Sequence, residues 1–243
     1  MTTLFDAQLL NEFVEKFYGY GNYNGQLWFV GMEEGGGNSF SEIENRLNAW
    51  THRGKNELED LAQYHAEIGM TDWFNDKPKL QSSWNKLIRI LLSSKGQSPT
   101  TEEVREYQKI LLGKSSGDNC LVNLLPLPSP SIERWLYAEH SQLHYLSDRL
   151  KYKKWCLKSR IEHLRNRINQ YKPKVVVFYS LGYYKYWQEI IGIDLLQEAD
   201  NIHTGYNETT FFVITKHPAT KGVTNEYFHQ VGKLIEVSNK RQS

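Results

Sequence analysis

Cysteine is nearly missing from this chain: Cys120 and Cys156 are the only two in 243 residues, too few for a disulfide framework or a four-ligand metal cage. Long apolar runs are missing too. Stretches such as residues 174–179 are strand-sized, far short of the roughly 20 residues that cross a bilayer. Residues 1–6 carry no basic stretch, apolar stretch or small-residue cleavage site, so a signal peptide is not expected and a reducing cytoplasm is. In that compartment Asn207-Glu208-Thr209 is an unused glycosylation match. With 17 glycines, 7 prolines, 40% hydrophobic and 23% charged residues, the chain is not collagenous, low-complexity or disordered by composition. What remains is a globule long enough to bury a core unaided.

Net charge is only +1, but it is unevenly spread. Residues 1–148 hold 13 Lys and Arg against 20 Asp and Glu, residues 149–174 hold 10 against 1, and residues 175–243 hold 6 against 7. The basic segment carries Leu157, Ile161, Leu164, Ile168 and Tyr171 at spacings of four, three, four and three, an apolar helix stripe. Lys151, Lys154, Lys158, Arg160, Arg165 and Arg167 occupy its other faces. Such a face is either solvated or turned toward phosphates, where it gains affinity by releasing counterions.

Four apolar runs read as strands: residues 26–31, 119–125, 174–179 and 209–215. They are continuously hydrophobic rather than alternating, as in a parallel sheet covered on both faces. Helical patterns fill residues 4–17, 41–50, 56–68, 82–92, 101–112 and 153–171. The pattern predicts a single domain over residues 1–243, a three-layer α/β/α fold with a central, mostly parallel four-stranded sheet. In such a sheet, chemistry collects beyond the carboxyl ends of the strands.

Those ends are polar or backbone-permissive. The first leads into Gly31-Met32-Glu33-Glu34-Gly35-Gly36-Gly37, which lacks the spacing and terminal Lys of a phosphate loop and would set two carboxylates against a phosphate. Carboxylates followed by glycines suit a water or a cationic transition state near a bulky ligand; an exposed glycine turn is the alternative. The last strand leads into Lys216-His217-Pro218, where proline holds the histidine in extended backbone. Asn123 ends the second strand with an amide that can both donate to and accept from a base edge, or cap the Pro-rich loop that follows.

In this order the pieces resemble the uracil-DNA glycosylase superfamily. Leu27-Trp28-Phe29-Val30-Gly31-Met32-Glu33-Glu34-Gly35 is like its first motif, and Val122-Asn123-Leu124-Leu125-Pro126 like its second-strand motif. Lys174-Val175-Val176-Val177-Phe178-Tyr179-Ser180-Leu181-Gly182 is like its third strand and turn, and Val213-Ile214-Thr215-Lys216-His217-Pro218-Ala219-Thr220 like its His-Pro-Ser motif. The resemblance spans residues 27–220 and leaves residues 41–112 with little motif support. It implies a DNA glycosylase that flips a base out of the helix and hydrolyses its N-glycosidic bond, leaving an abasic site. Glu33 would position water or stabilise the sugar cation, His217 would stabilise charge on the departing base, and Asn123 would read the base edge.

Gly35 stands where the strictest uracil-specific branch has a C5-excluding tyrosine, so uracil or a pyrimidine with a larger C5 group is the expected substrate. Phe40 or Trp50 would stack on the base. Lys154, Lys158, Arg165, Ser129, Thr220 and Lys221 would meet the DNA, and the Pro128-Ser129-Pro130-Ser131 turn either presses its backbone or is a stiff surface turn. Two cysteines cannot hold the iron–sulfur cluster of some branches, so no cofactor or metal is expected, and the protein is expected to act as a monomer without a membrane. Two departures, Glu34 for the usual proline and Ala219 for the usual serine, motivate an alternative: a non-catalytic glycosylase-fold module that binds nucleic acid or a protein. A third possibility is a metal-dependent nuclease using Glu33, Glu34 and His217.

Overall fold

Each apolar run is hydrophobic throughout because successive side chains enter two different cores. The computed structural model describes residues 3–131 and 133–242. Along the chain its elements are α1 (Ala7–Lys16), β1 (Gly19–Gly21), β2 (Leu27–Gly31), α2 (Phe40–His52), β3 (Leu58–Glu59), α3 (Leu61–Glu67), α4 (Ser82–Ser94), α5 (Thr101–Ile110), β4 (Asn119–Asn123), α6 (Tyr137–His140), α7 (Arg149–Tyr171), β5 (Val175–Tyr179), α8 (Tyr184–Ile191), β6 (Leu196–Gln197), β7 (His203–Tyr206), β8 (Phe211–Thr215) and α9 (Asn225–Gln242). Phe29, Leu121, Val177 and Val213 face one core with α1 to α5 and α9, whereas Trp28, Val122, Phe178 and Ile214 face another with α7 and α8. Helices therefore cover both sides of the sheet.

The expected four-stranded, mostly parallel sheet needs correction. One mixed sheet of eight strands forms, in the order β3-β1-β4-β2-β5-β8-β7-β6. The four expected strands are its parallel centre, β4-β2-β5-β8. Outside them β1 runs antiparallel to β4 and parallel to β3, while β7 is antiparallel to both β8 and β6. These outer strands are two to four residues long, and β1 and β7 contain glycine, so no sustained apolar pattern marks them.

Register brings the strand ends level. Asn123 pairs with Gly31, Val30 with Phe178, and Tyr179 with Thr215. The loops they feed thus open at one edge. Side chains of Ser39 and Asp148 accept first-turn N–H groups of α2 and α7, marking where those helices begin. Both helices reach that edge, since α2 supplies Arg46 and α7 supplies Arg149 to the loop after β2.

Candidate active site at the carboxyl edge of the sheet

The loop after β2 is shaped by Gly36 and Gly37, whose φ angles of +110° and +70° exclude side chains. Glu42 of α2 ties it down by accepting from the Gly37 and Asn38 N–H groups at 2.8 and 2.9 Å. Above it opens a cavity of about 570 Å³ lined by Glu33, Glu34, Gly35, Asn123, Ser129 and His217, among others. The strand-end residues therefore converge on one space. Glu33 and His217 do not follow adjacent strands, because β5 lies between β2 and β8. Tyr179, at the end of β5, fills that interval, and its ring packs so closely that any side chain at position 31 would collide with it.

The two glutamates have different partners. Glu34 accepts from the Tyr20 hydroxyl at 2.8 Å and pairs with Arg46 at 3.1 Å and His65 at 3.6 Å. Burial alone would raise its pKa, but Arg46, His65 and Tyr20 outweigh it and hold the carboxyl at about 2. Glu34 is therefore ionised across the physiological range. Glu33 is tied by one oxygen to Arg149, with side-chain exposures of 6% and 11%. Burial pushes its pKa up, against the opposing pull of Arg149 and Lys153.

His217 has a defined polarity. The Ala219 N–H donates to its Nδ1 at 3.0 Å, so in the neutral ring the proton sits on Nε2, a donor. Burial and then the nearby Lys86 charge lower its pKa, favouring that neutral form. Lys86 of α4 also donates to the Pro218 carbonyl, fixing the loop. Asn123 is held by its backbone: its N–H donates to Tyr18 O at 2.8 Å and its carbonyl accepts from Arg160 at 2.7 Å. Its side-chain amide has no partner among the described residues. A Cβ added at Gly35 would meet nothing within 4 Å.

Other expected site residues lie elsewhere. Phe40 stacks on Phe5 with centroids 4.4 Å apart, and Trp50 is fully buried with its indole N–H donating to Asn56 O. Neither lines the cavity; Trp73 and Trp84 do. These two meet edge to face at 5.2 Å and, with Tyr20 and Phe74, surround the His65 ring. His65 Nδ1 lies 2.8 Å from the Leu61 carbonyl, so it carries a hydrogen there. Ser129 lines the cavity but its hydroxyl lies within 2.8 and 2.9 Å of the Ser131 and Arg134 carbonyls, stitching its own turn.

The basic helix is not one uniform face. Lys154 and Lys158 are exposed, as are Thr220 and Lys221 beyond His217. Arg160, which the sequence placed on the solvated side, is 1% exposed, donates to Leu124 and Phe17 carbonyls and lies 3.5 Å above the Tyr18 ring. Arg165 donates to Glu189 O and lies about 24 Å along the axis from Arg149. Tyr20, Arg46, His65, Trp73, Trp84 and Arg149 belong to no motif, since each sits outside the four strand ends. Among the described residues no three His, Cys, Asp or Glu side chains gather to hold a metal, so Glu33, Glu34 and His217 do not form the ligand set that a metal-dependent nuclease would use. No protein-family model matches the chain and no curated protein is similar to it.

Proposed function

We propose that this protein is a DNA glycosylase of the uracil-DNA glycosylase type, hydrolysing the N-glycosidic bond of uracil or another modified pyrimidine. The observation that carries this is the meeting of Glu33, Asn123 and His217 in one cavity at the level ends of parallel strands. Bond cleavage builds positive charge on the sugar and negative charge on the base. Carboxylates at Glu33 and Glu34 suit the first, and the Nε2–H of neutral His217 suits the second. The free amide of Asn123 offers a donor and an acceptor to a base edge. Trp73 and Trp84 replace Phe40 and Trp50 as candidates to stack on it.

In this proposal DNA is the partner, the protein acts as a monomer in the cytoplasm, and no cofactor takes part. The test is a panel of modified-base oligonucleotides incubated in chelator, followed by alkaline cleavage of abasic sites. Strand breaks at one modified pyrimidine, lost in Asn123→Ala and His217→Ala, are expected. One observation favours the non-catalytic alternative: Arg149 already neutralises Glu33. Binding of such an oligonucleotide without any abasic product would decide for it.

A further inference from the structure

Arg149 is an unusual residue to open a helix. As the first residue of α7 it sets a cation at the positive end of a helix dipole, and its side chain is only 11% exposed, where an unpaired charge is costly. Its partner Glu33 comes from the loop after β2, 116 residues earlier. The pair is not the two-pronged bridge that an arginine and a carboxylate usually form. Only Nη2 and Oε1 meet; among the described residues Nη1 of Arg149 and Oε2 of Glu33 are buried with no hydrogen-bond partner. The Arg149 guanidinium also packs 5.5 Å from the Trp135 ring, which orients it. A bridge whose role was stability would be expected to satisfy both prongs.

We propose that Arg149 is a positioning residue: it grips Glu33 through one oxygen in the wall of the cavity and fixes the orientation of the carboxyl, whose other oxygen it leaves without a partner. This rests on the glycosylase proposal for what Glu33 does, though not for how it is held. The charged groups that act on Glu33 are Arg149 and Lys153 of α7, and the Tyr137 hydroxyl is close enough to feel the Glu33 charge. Burial raises the Glu33 pKa and the two cations lower it. Removing Arg149 must therefore raise it further, so activity that needs the carboxylate is lost at higher pH as the solution is acidified.

The experiment compares wild type with Arg149→Gln, Arg149→Lys and Lys153→Gln by two measurements. One is the pH profile of single-turnover cleavage of whichever panel oligonucleotide the wild type cuts. The other is carbon-13 NMR titration of the Glu33 side-chain carboxyl, identified by its loss in Glu33→Gln, which needs no activity. In Arg149→Gln the acid limb and the Glu33 titration are expected to move up by about one to three pH units, the effect of one neighbouring opposite charge. Because the grip is single-pronged, a lysine can supply it, so Arg149→Lys restores most of the shift, and Lys153→Gln moves it less than Arg149→Gln. Lys153→Gln also serves as the variant that keeps the Arg149 contact should Arg149→Gln fold poorly. A Glu33 titration that Arg149→Gln leaves in place, or that Arg149→Lys fails to restore, overturns the inference. A wild type that cuts nothing while the titration shifts as expected overturns the glycosylase proposal instead.

Discussion

Of the three glycines that follow Glu34, only Gly35 has room and backbone for a side chain. Gly36 and Gly37 have positive φ, and an added Cβ would lie 2.8 Å from the Arg46 guanidinium and from the Pro128 carbonyl respectively. At Gly35 the space is open and φ is not in the left-handed region. A tyrosine there should narrow the cavity without straining the loop. Under the glycosylase proposal, Gly35→Tyr is expected to cut single-turnover cleavage of a bulky 5-substituted pyrimidine on the order of tenfold or more, relative to uracil. Equal losses on both bases would mean that this position is not the gate. Asn123 and His217 were legible because each is a polar residue at or just beyond the end of an apolar strand. Glu34 was legible as a carboxylate but not as the centre of a network, because Tyr20, Arg46 and His65 reach it from β1, α2 and α3, and no spacing in the sequence links them.

At the scale of elements, α7 joins the site to the surface. Its first residue grips Glu33 and its exposed Lys154 and Lys158 follow within three turns, whereas Arg165 is engaged by a backbone carbonyl far from the cavity. Under the glycosylase proposal, replacing Lys154 and Lys158 by Glu should weaken DNA binding and lower the slope of log affinity against log salt by about 0.9 for each phosphate that is no longer neutralised. Arg165→Glu should do much less, and anisotropy titrations over a salt series would expose the contrary case. The four central strands could be read because both their faces are buried, leaving unbroken apolar runs. The four outer strands could not, since two to four residues, as in Gly19-Tyr20-Gly21, are too few to carry a period. Helix α9 was not expected although Tyr227, Phe228, Val231 and Ile235 are buried at helical spacing, because Glu226, His229, Gln230 and Lys233 between them thin the apolar stripe.

For the whole molecule, two carboxylates tie distant parts of the chain together in the same way. Glu34 joins the loop after β2 to β1, α2 and α3, and Glu57, ahead of β3, accepts from Tyr23 at 2.7 Å and pairs with His163 and with Arg167 at 2.6 Å on α7. In both, burial would raise the pKa, and the hydrogen-bonded and charged partners overcome it to hold the carboxyl at about 2, against 4.5 for a free glutamate. A group whose pKa falls on folding binds protons more tightly in the unfolded chain. Its stabilisation is thus complete above about pH 4.5 and disappears as pH falls toward 2, at up to about 3 kcal/mol for Glu34 and less for the more solvated Glu57. Stability measured by urea denaturation should therefore drop steeply between about pH 5 and pH 2. Glu34→Gln and Glu57→Gln should each be less stable at pH 7 and show a shallower acid slope, since the variant has no carboxyl left to protonate. The two effects should add, because the carboxylates share no partner. If either variant kept the wild-type slope in that acid range, its carboxylate would not be among the groups whose protonation unfolds the protein.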